Sequence, residues 1–134
     1  MKKSPVTAEK STLHVLVVDD EPLIRWSVCE VLDESGHEVA EARDGAAALR
    51  QLSEGTPFDV IVLDYRLPDS NDLRLLETIR RLTPDSAVIM MTAFGTPEMI
   101  AGALALGVFK VLAKPFDMHD LARLVAEASG SHKS

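Results

Sequence analysis

Five short apolar runs rich in β-branched residues constrain this 134-residue chain more than any other feature. They are LHVLVV at 13 to 18, HEVAE at 37 to 41, FDVIVL at 58 to 63, AVIMM at 87 to 91 and VFKVL at 108 to 112. Runs of this length and composition read as strands, and a stretch with helical spacing follows each one. Strand then helix, repeated in short units, is the pattern of a parallel sheet with helices on both faces. The near-continuous apolar character agrees, because a strand covered on both sides has no solvent face to leave polar. The helix signals are local. Pro22 suits a first helical position and Gly36 a stop, with Leu23, Trp26 and Val31 among the apolar positions between them. Asp44, Asn71, Thr96 and Asp117 are N-cap types at the heads of the other helices, and Pro97 follows Thr96.

The length suits one domain, which we place at residues 12–129, with a mobile tail at 1–11 and a short polar tail at 130–134. A net charge of -7 without any Lys/Arg cluster argues against direct nucleic-acid binding, since neutralising phosphates needs a localised basic patch. The longest apolar run, 99–109, is too short to span a bilayer, and the first residues lack the apolar centre of a signal peptide, so a cytoplasmic location is expected. Cys29 has no partner for an internal disulfide and reads, like Trp26, as a packing residue of the first helix.

In an open parallel α/β sheet, ligands bind outside the carboxyl ends of the strands. Those ends are polar here. Strand one ends in Asp19 and Asp20, strand three in Asp64, strand four in Thr92 and strand five in Lys114. Taken singly, an Asp at such a place caps a helix, a Thr satisfies backbone and a Lys is solvated; their joint occurrence is what points to a site. Two unit charges roughly 4 Å apart interact by about 4 kcal/mol at an effective dielectric near 20, so adjacent carboxylates need a cation. A hard divalent ion with oxygen ligands meets that need, and Mg²⁺ keeps positions open for phosphate oxygens. Thr92 and Lys114 then supply a donor and a counter-charge for a phosphoryl group. His14, His37, His119 and His132 are scattered without ligand spacing.

The segments VVDDEPLIRW, VIVLDYRLPD, VIMMTAFGT and VLAKPFD, in this order across about Leu13 to Ala128, resemble the receiver domains of two-component response regulators. DDEPLIRW and GTPE resemble in particular the receivers at the front of enhancer-binding transcription activators. The resemblance implies a doubly wound, flavodoxin-like five-stranded parallel sheet in the order 2-1-3-4-5. It implies that Asp64 accepts a phosphoryl group from a sensor histidine kinase. Asp20, Asp64 and the backbone carbonyl of Arg66 would hold Mg²⁺, or Mn²⁺ in its place, with Asp19 assisting through water. Thr92 would bond the phosphoryl oxygen, Lys114 would pair with it, and Ala93 would keep the approach open. Lys114-Pro115 would be a cis peptide, and Arg66 and Phe94 stand where the family tunes phosphoryl lifetime. The output would be a surface on helix four, strand five and helix five, read by an effector protein or an output domain. Such a domain signals by binding and does not act on an external substrate.

Three departures stand out. Val111 occupies the position of the family's switching aromatic, and Asp72 replaces a usual Gly in the loop after the phosphoacceptor. Helix four, TPEMIAGALALG, carries Glu98 as its only charge. Met99, Gly102 and Ala105 then lie on a stripe that either forms a modest apolar surface or docks a partner or a second copy of the chain. A phosphohydrolase of the haloacid dehalogenase type is the competing enzyme reading. It needs a second Asp where Glu21 follows Asp19, and room for a cap domain. A scaffold that is never phosphorylated would have no use for the full set Asp19, Asp20, Asp64, Thr92 and Lys114.

Overall fold

The computed structural model describes residues 12–133; the tail expected at 1–11 lies outside the described residues, as does Ser134. The elements run β1 (His14–Val18), α1 (Pro22–Glu34), β2 (Glu38–Ala42), α2 (Gly45–Ser53), β3 (Val60–Asp64), α3 (Arg74–Leu82), β4 (Ala87–Thr92), α4 (Pro97–Ala105), β5 (Lys110–Ala113) and α5 (Met118–Lys133). All strands are parallel in one sheet ordered β2-β1-β3-β4-β5, the doubly wound arrangement expected from the sequence. The chain reverses its direction of travel across the sheet between β1 and β3. This switch point opens a crevice at their carboxyl ends.

Alternation along the strands sorts the core into two layers. Val15, Val17, Val60, Val62, Ile89 and Met91 meet Val28 and Leu32 of α1 and Leu121 and Val125 of α5. Leu16, Val18, Ile61, Leu63, Val88 and Met90 meet Ala48 of α2, Leu76 and Ile79 of α3 and Ala103 of α4. Burying each large side chain contributes about 1.5–3 kcal/mol, which makes β1, β3 and β4 a rigid frame for whatever their ends carry.

The helix ends follow local chemistry with one exception. Asp44 accepts from the Ala47 N–H at 2.8 Å, Thr96 Oγ1 from the Met99 N–H at 3.1 Å, and Asp117 from the His119 N–H at 2.7 Å. Gly36 and Gly107 end their helices with φ of 92° and 93°, a conformation that costs other residues a steric clash. Helix α3 does not start at a cap on Asn71. It begins at Arg74, whose N–H donates to Asp72 at 2.9 Å. No described residue other than glycine has positive φ, so Asp72 fills the usual glycine position without adopting a left-handed backbone, its side chain accepting from the Arg74 N–H two residues on.

The packing role expected of Trp26 is corrected here. Trp26 and Leu23 are 60% and 72% exposed, because the core stripe of α1 runs through Ile24, Val28 and Leu32, one turn apart, and leaves both outside it. Helix α5 runs to Lys133. Among the described residues, no helix is long and apolar enough to cross a membrane.

Candidate functional site

The carboxyl ends of β1, β3, β4 and β5 converge on one crevice of about 380 Å³, lined by Asp20, Glu21, Asp64, Arg66, Phe94 and Lys114 among others. Asp19 is fully buried, held by its N–H to the Ala42 carbonyl at 3.1 Å, while its Oδ1 accepts from the Glu21 N–H at 2.9 Å. Asp64 ends β3 and is 5% exposed. Asp20 faces the solvent side, and carboxylate oxygens of Asp19, Asp20 and Asp64 all lie within 4.8 Å of one another.

Among the described residues, one ammonium serves this cluster. Lys114 Nζ lies 3.1 Å from Asp19 Oδ2, 3.3 Å from Asp64 Oδ2 and 3.4 Å from Glu21 Oε1. Its backbone N–H donates to the Thr92 carbonyl at 2.8 Å, which fixes the strand end, and the Lys114-Pro115 bond is cis. Thr92 is buried at the end of β4, its Oγ1 accepting from the Phe94 N–H at 3.3 Å; Ala93 is exposed beside it.

Burial and then the charge of Asp19 push the Asp64 carboxyl up to about 6, with Lys114 and the Arg66 N–H pulling it back. Burial by itself would lower the Lys114 ammonium, but the Asp64 and Asp19 carboxylates outweigh it and hold its pKa above the usual value. Lys114 is a single positive charge set against Asp19, Asp20, Asp64 and Glu21, so a surplus of negative charge remains. An all-oxygen donor set with such a surplus fits a hard divalent cation.

Other residues singled out from the sequence lie elsewhere. Val111 is half-buried against the α2–α4 layer. Met99 is buried in the same core, and Gly102 is covered by Leu73, whose Cδ1 would lie 2.8 Å from a Cβ placed there. Met99, Gly102 and Ala105 therefore do not share an open face; the exposed apolar side of α4 is Ala101, Leu104 and Ala105. His37 accepts from the Leu13 N–H at 3.2 Å, and burial lowers its pKa. Cys29 is half-buried, its thiol pushed up to about 11 by burial first and Glu41 second.

Some contacts were not anticipated. Glu21 is a further partner of Lys114, a role that the run DDE could have signalled. Arg80 ties α3 to its neighbours, donating to the Ser86 carbonyl at 2.6 Å and the Leu106 carbonyl at 3.2 Å.

The sheet order and the acidic, lysine-bearing crevice at its switch point define a class: flavodoxin-like α/β domains that handle charge at the carboxyl edge. Residues 15–126 match the model of the response regulator receiver domain, and the chain belongs to that family, the receivers of two-component systems. The chain is 34% identical to the DNA-binding transcriptional regulator NtrC of Azospirillum brasilense over 91% of its length and 25% of that protein. It is 39% identical to the response regulator protein PilR of Pseudomonas aeruginosa, covering 88% of this chain and 26% of PilR. It thus spans about a quarter of these relatives. A receiver domain protein from Methanospirillum hungatei superposes with a TM-score of 0.86 at 28% identity, over 92% of this chain and 98% of that one. NtrX from Brucella abortus gives 0.83 at 30% identity, over 92% of this chain and 28% of NtrX.

Proposed function

We propose that Asp64 is the phosphoacceptor of a two-component pathway and that its modification switches a protein-binding surface. The observation that carries this reading is the placement of Asp64, at the buried end of β3, within reach of one ammonium and two further aspartates. An Asp64 oxygen attacks the phosphorus of a phosphohistidine on a sensor histidine kinase, in line with the bond to the imidazole nitrogen. That bond breaks, and an acyl phosphate on Asp64 results. Lys114 transfers part of its pairing to a phosphoryl oxygen, and the small side chain of Ala93 leaves the approach open. Thr92 turns its hydroxyl from the Phe94 N–H toward the new oxygens. Asp20, Asp64 and the Arg66 carbonyl would hold Mg²⁺, or Mn²⁺, with Asp19 behind them, and the ion would supply charge neutralisation at the phosphoryl oxygens.

The added charge is roughly -1.5 to -2 near neutral pH. Residues 93–96 join Thr92 to the Thr96 cap of α4, so a displacement of Thr92 would be carried to the head of α4 through this short loop, a route that suits a chain with Val111 in place of an aromatic. The output face is α4, β5 and α5, with Ala101, Leu104 and Ala105 as its apolar part, and its reader is an effector or an output domain. The relative NtrC is a DNA-binding transcriptional regulator, so we assign the output to transcription, through protein contacts in the cytoplasm and not through DNA contacts of this domain.

Beryllofluoride, a non-covalent phosphoryl mimic, tests the reading. With Mg²⁺ it should shift the amide resonances of Asp64, Thr92 and α4 in the wild type and none in Asp64→Ala. A folded wild type that ignores the mimic contradicts it, and unmoved α4 resonances on binding contradict the proposed output.

A further inference from the structure

The loop after β3 is held from outside. Leu67 and Ser70 close it as a tight turn, with the Leu67 N–H donating to the Ser70 carbonyl at 2.7 Å and the return bond at 3.2 Å. Leu67 anchors one side in the core. Asp69, at the tip, reaches 24 residues back along the chain: its Oδ1 accepts from the Gly45 N–H at 2.9 Å and its Oδ2 from the Ala46 N–H at 3.0 Å.

The first N–H groups of a helix have no intrahelical acceptor. In α2 they are shared out without redundancy. Asp44 takes the Ala47 N–H through its side chain and the Ala48 N–H through its carbonyl, which leaves Gly45 and Ala46 to Asp69. The absence of a side chain at Gly45 keeps this approach open, because a Cβ there would lie 3.2 Å from Asp69 Oδ1 and 3.1 Å from Leu75 Cδ2. The Gly45 and Ala46 donors hold the Asp69 carboxyl below its usual pKa, the Gly45 bond first, so it is charged throughout the neutral range. A full charge facing a helix N-terminus is a favoured arrangement.

The same turn carries the groups that face Asp64 from the other side. The Arg66 N–H points at Asp64 Oδ1, 3.4 Å away, and Leu67 and Pro68 line the crevice. The geometry points to Asp69 as a positioning residue for the phosphoacceptor crevice: by clamping the 66–70 turn onto the head of α2, it sets where the Arg66 carbonyl and the Pro68 wall stand relative to Asp64. This rests on the reading of Asp64 as a Mg²⁺-dependent acceptor and adds a residue that touches neither ion nor phosphoryl.

Asp44 provides the control, since it caps the same helix without contacting the turn. Mg²⁺ affinity would be measured by calorimetry for the wild type, Asp69→Ala, Asp69→Asn and Asp44→Ala, alongside amide hydrogen exchange at Leu67 and melting temperatures. Both alanine variants should melt lower. Only Asp69→Ala should lose protection at Leu67 and weaken Mg²⁺ binding by about tenfold, the lower end for residues that orient metal ligands. Asp69→Asn, with one acceptor oxygen for two donors, should fall between and serves if the alanine variant does not fold. An Asp69 variant that binds Mg²⁺ like the wild type overturns the inference whatever its melting temperature, as does an Asp44→Ala that weakens binding equally. A wild type that binds no Mg²⁺ overturns the acceptor reading as well, and is a separate result.

Discussion

Replacing Asp64 by Asn should stabilise the metal-free protein near neutral pH. The Asp64 carboxyl titrates at about 6 in the native state against an ordinary value of 3.8. The difference is about 2 units, and at about 1.4 kcal/mol per unit the ionised carboxylate lowers stability by about 3 kcal/mol. The direction follows from linkage. A raised native pKa means that the proton favours the folded state, so the penalty is absent below about pH 4 and grows until pH passes about 6. Asn removes the charge but takes from Lys114 one of its partners at 3.3 Å, so we expect a net gain of about 1–2 kcal/mol. For a domain of this size that corresponds to a rise of about 4–8 °C. Thermal melts in a chelating buffer at pH 7.5 and pH 5 give the assay. The gap should shrink by about 1.4 kcal/mol at pH 5 and so nearly close, because the native carboxyl has regained its proton there and the unfolded one has not. An Asn variant that melts below the wild type at pH 7.5, or a gap independent of pH, would refute the reasoning.

Lys114→Gln should do the opposite and destabilise the metal-free protein by about 3 kcal/mol, because it strips the cation from two buried carboxylates; urea unfolding should show it, and Mg²⁺ should restore part of the loss. Arg80→Ala should cost about 1–3 kcal/mol through its bonds to Ser86 and Leu106, again by urea unfolding, and a change within 0.5 kcal/mol would contradict the role given to those bonds. Thr92→Ala should leave phosphorylation of Asp64 within about tenfold of wild type while abolishing the α4 resonance shifts, since its hydroxyl acts on the product more than on the attack. Leu104→Glu, on the open side of α4, should leave Mg²⁺ binding unchanged and weaken any contact with an output domain or a second copy, measured by sedimentation.

The parts of the fold that were legible in the sequence are those set by short-range chemistry. β1, β3 and β4 are buried on both faces, so they show as unbroken apolar runs, and the polar residue that ends each run lies at the crevice. Asp44, Thr96 and Asp117 cap helices whose first turn immediately follows them, so their role is local. Trp26 was misplaced because α1 carries more apolar residues than one stripe can hold, and the sheet alone decides which stripe is buried. Gly102 was misplaced because Leu73 reaches it from a loop nearly thirty positions away. Asp69 was missed for the same reason: a cap supplied from another loop has no signature near the helix it serves. The crevice was legible from the joint polarity of four strand ends, a pattern that needs the sheet to be assumed before it can be read, whereas the role expected of Asp64 came from the resemblance to receiver domains.

Mass measurement of the protein after incubation with acetyl phosphate, with and without Mg²⁺, tests the central claim most directly, beside an Asp64→Ala control. The account predicts a single phosphoryl adduct on the wild type that requires Mg²⁺ and is absent from the control. A folded wild type that takes no phosphoryl group, or an adduct that persists in Asp64→Ala, would contradict it.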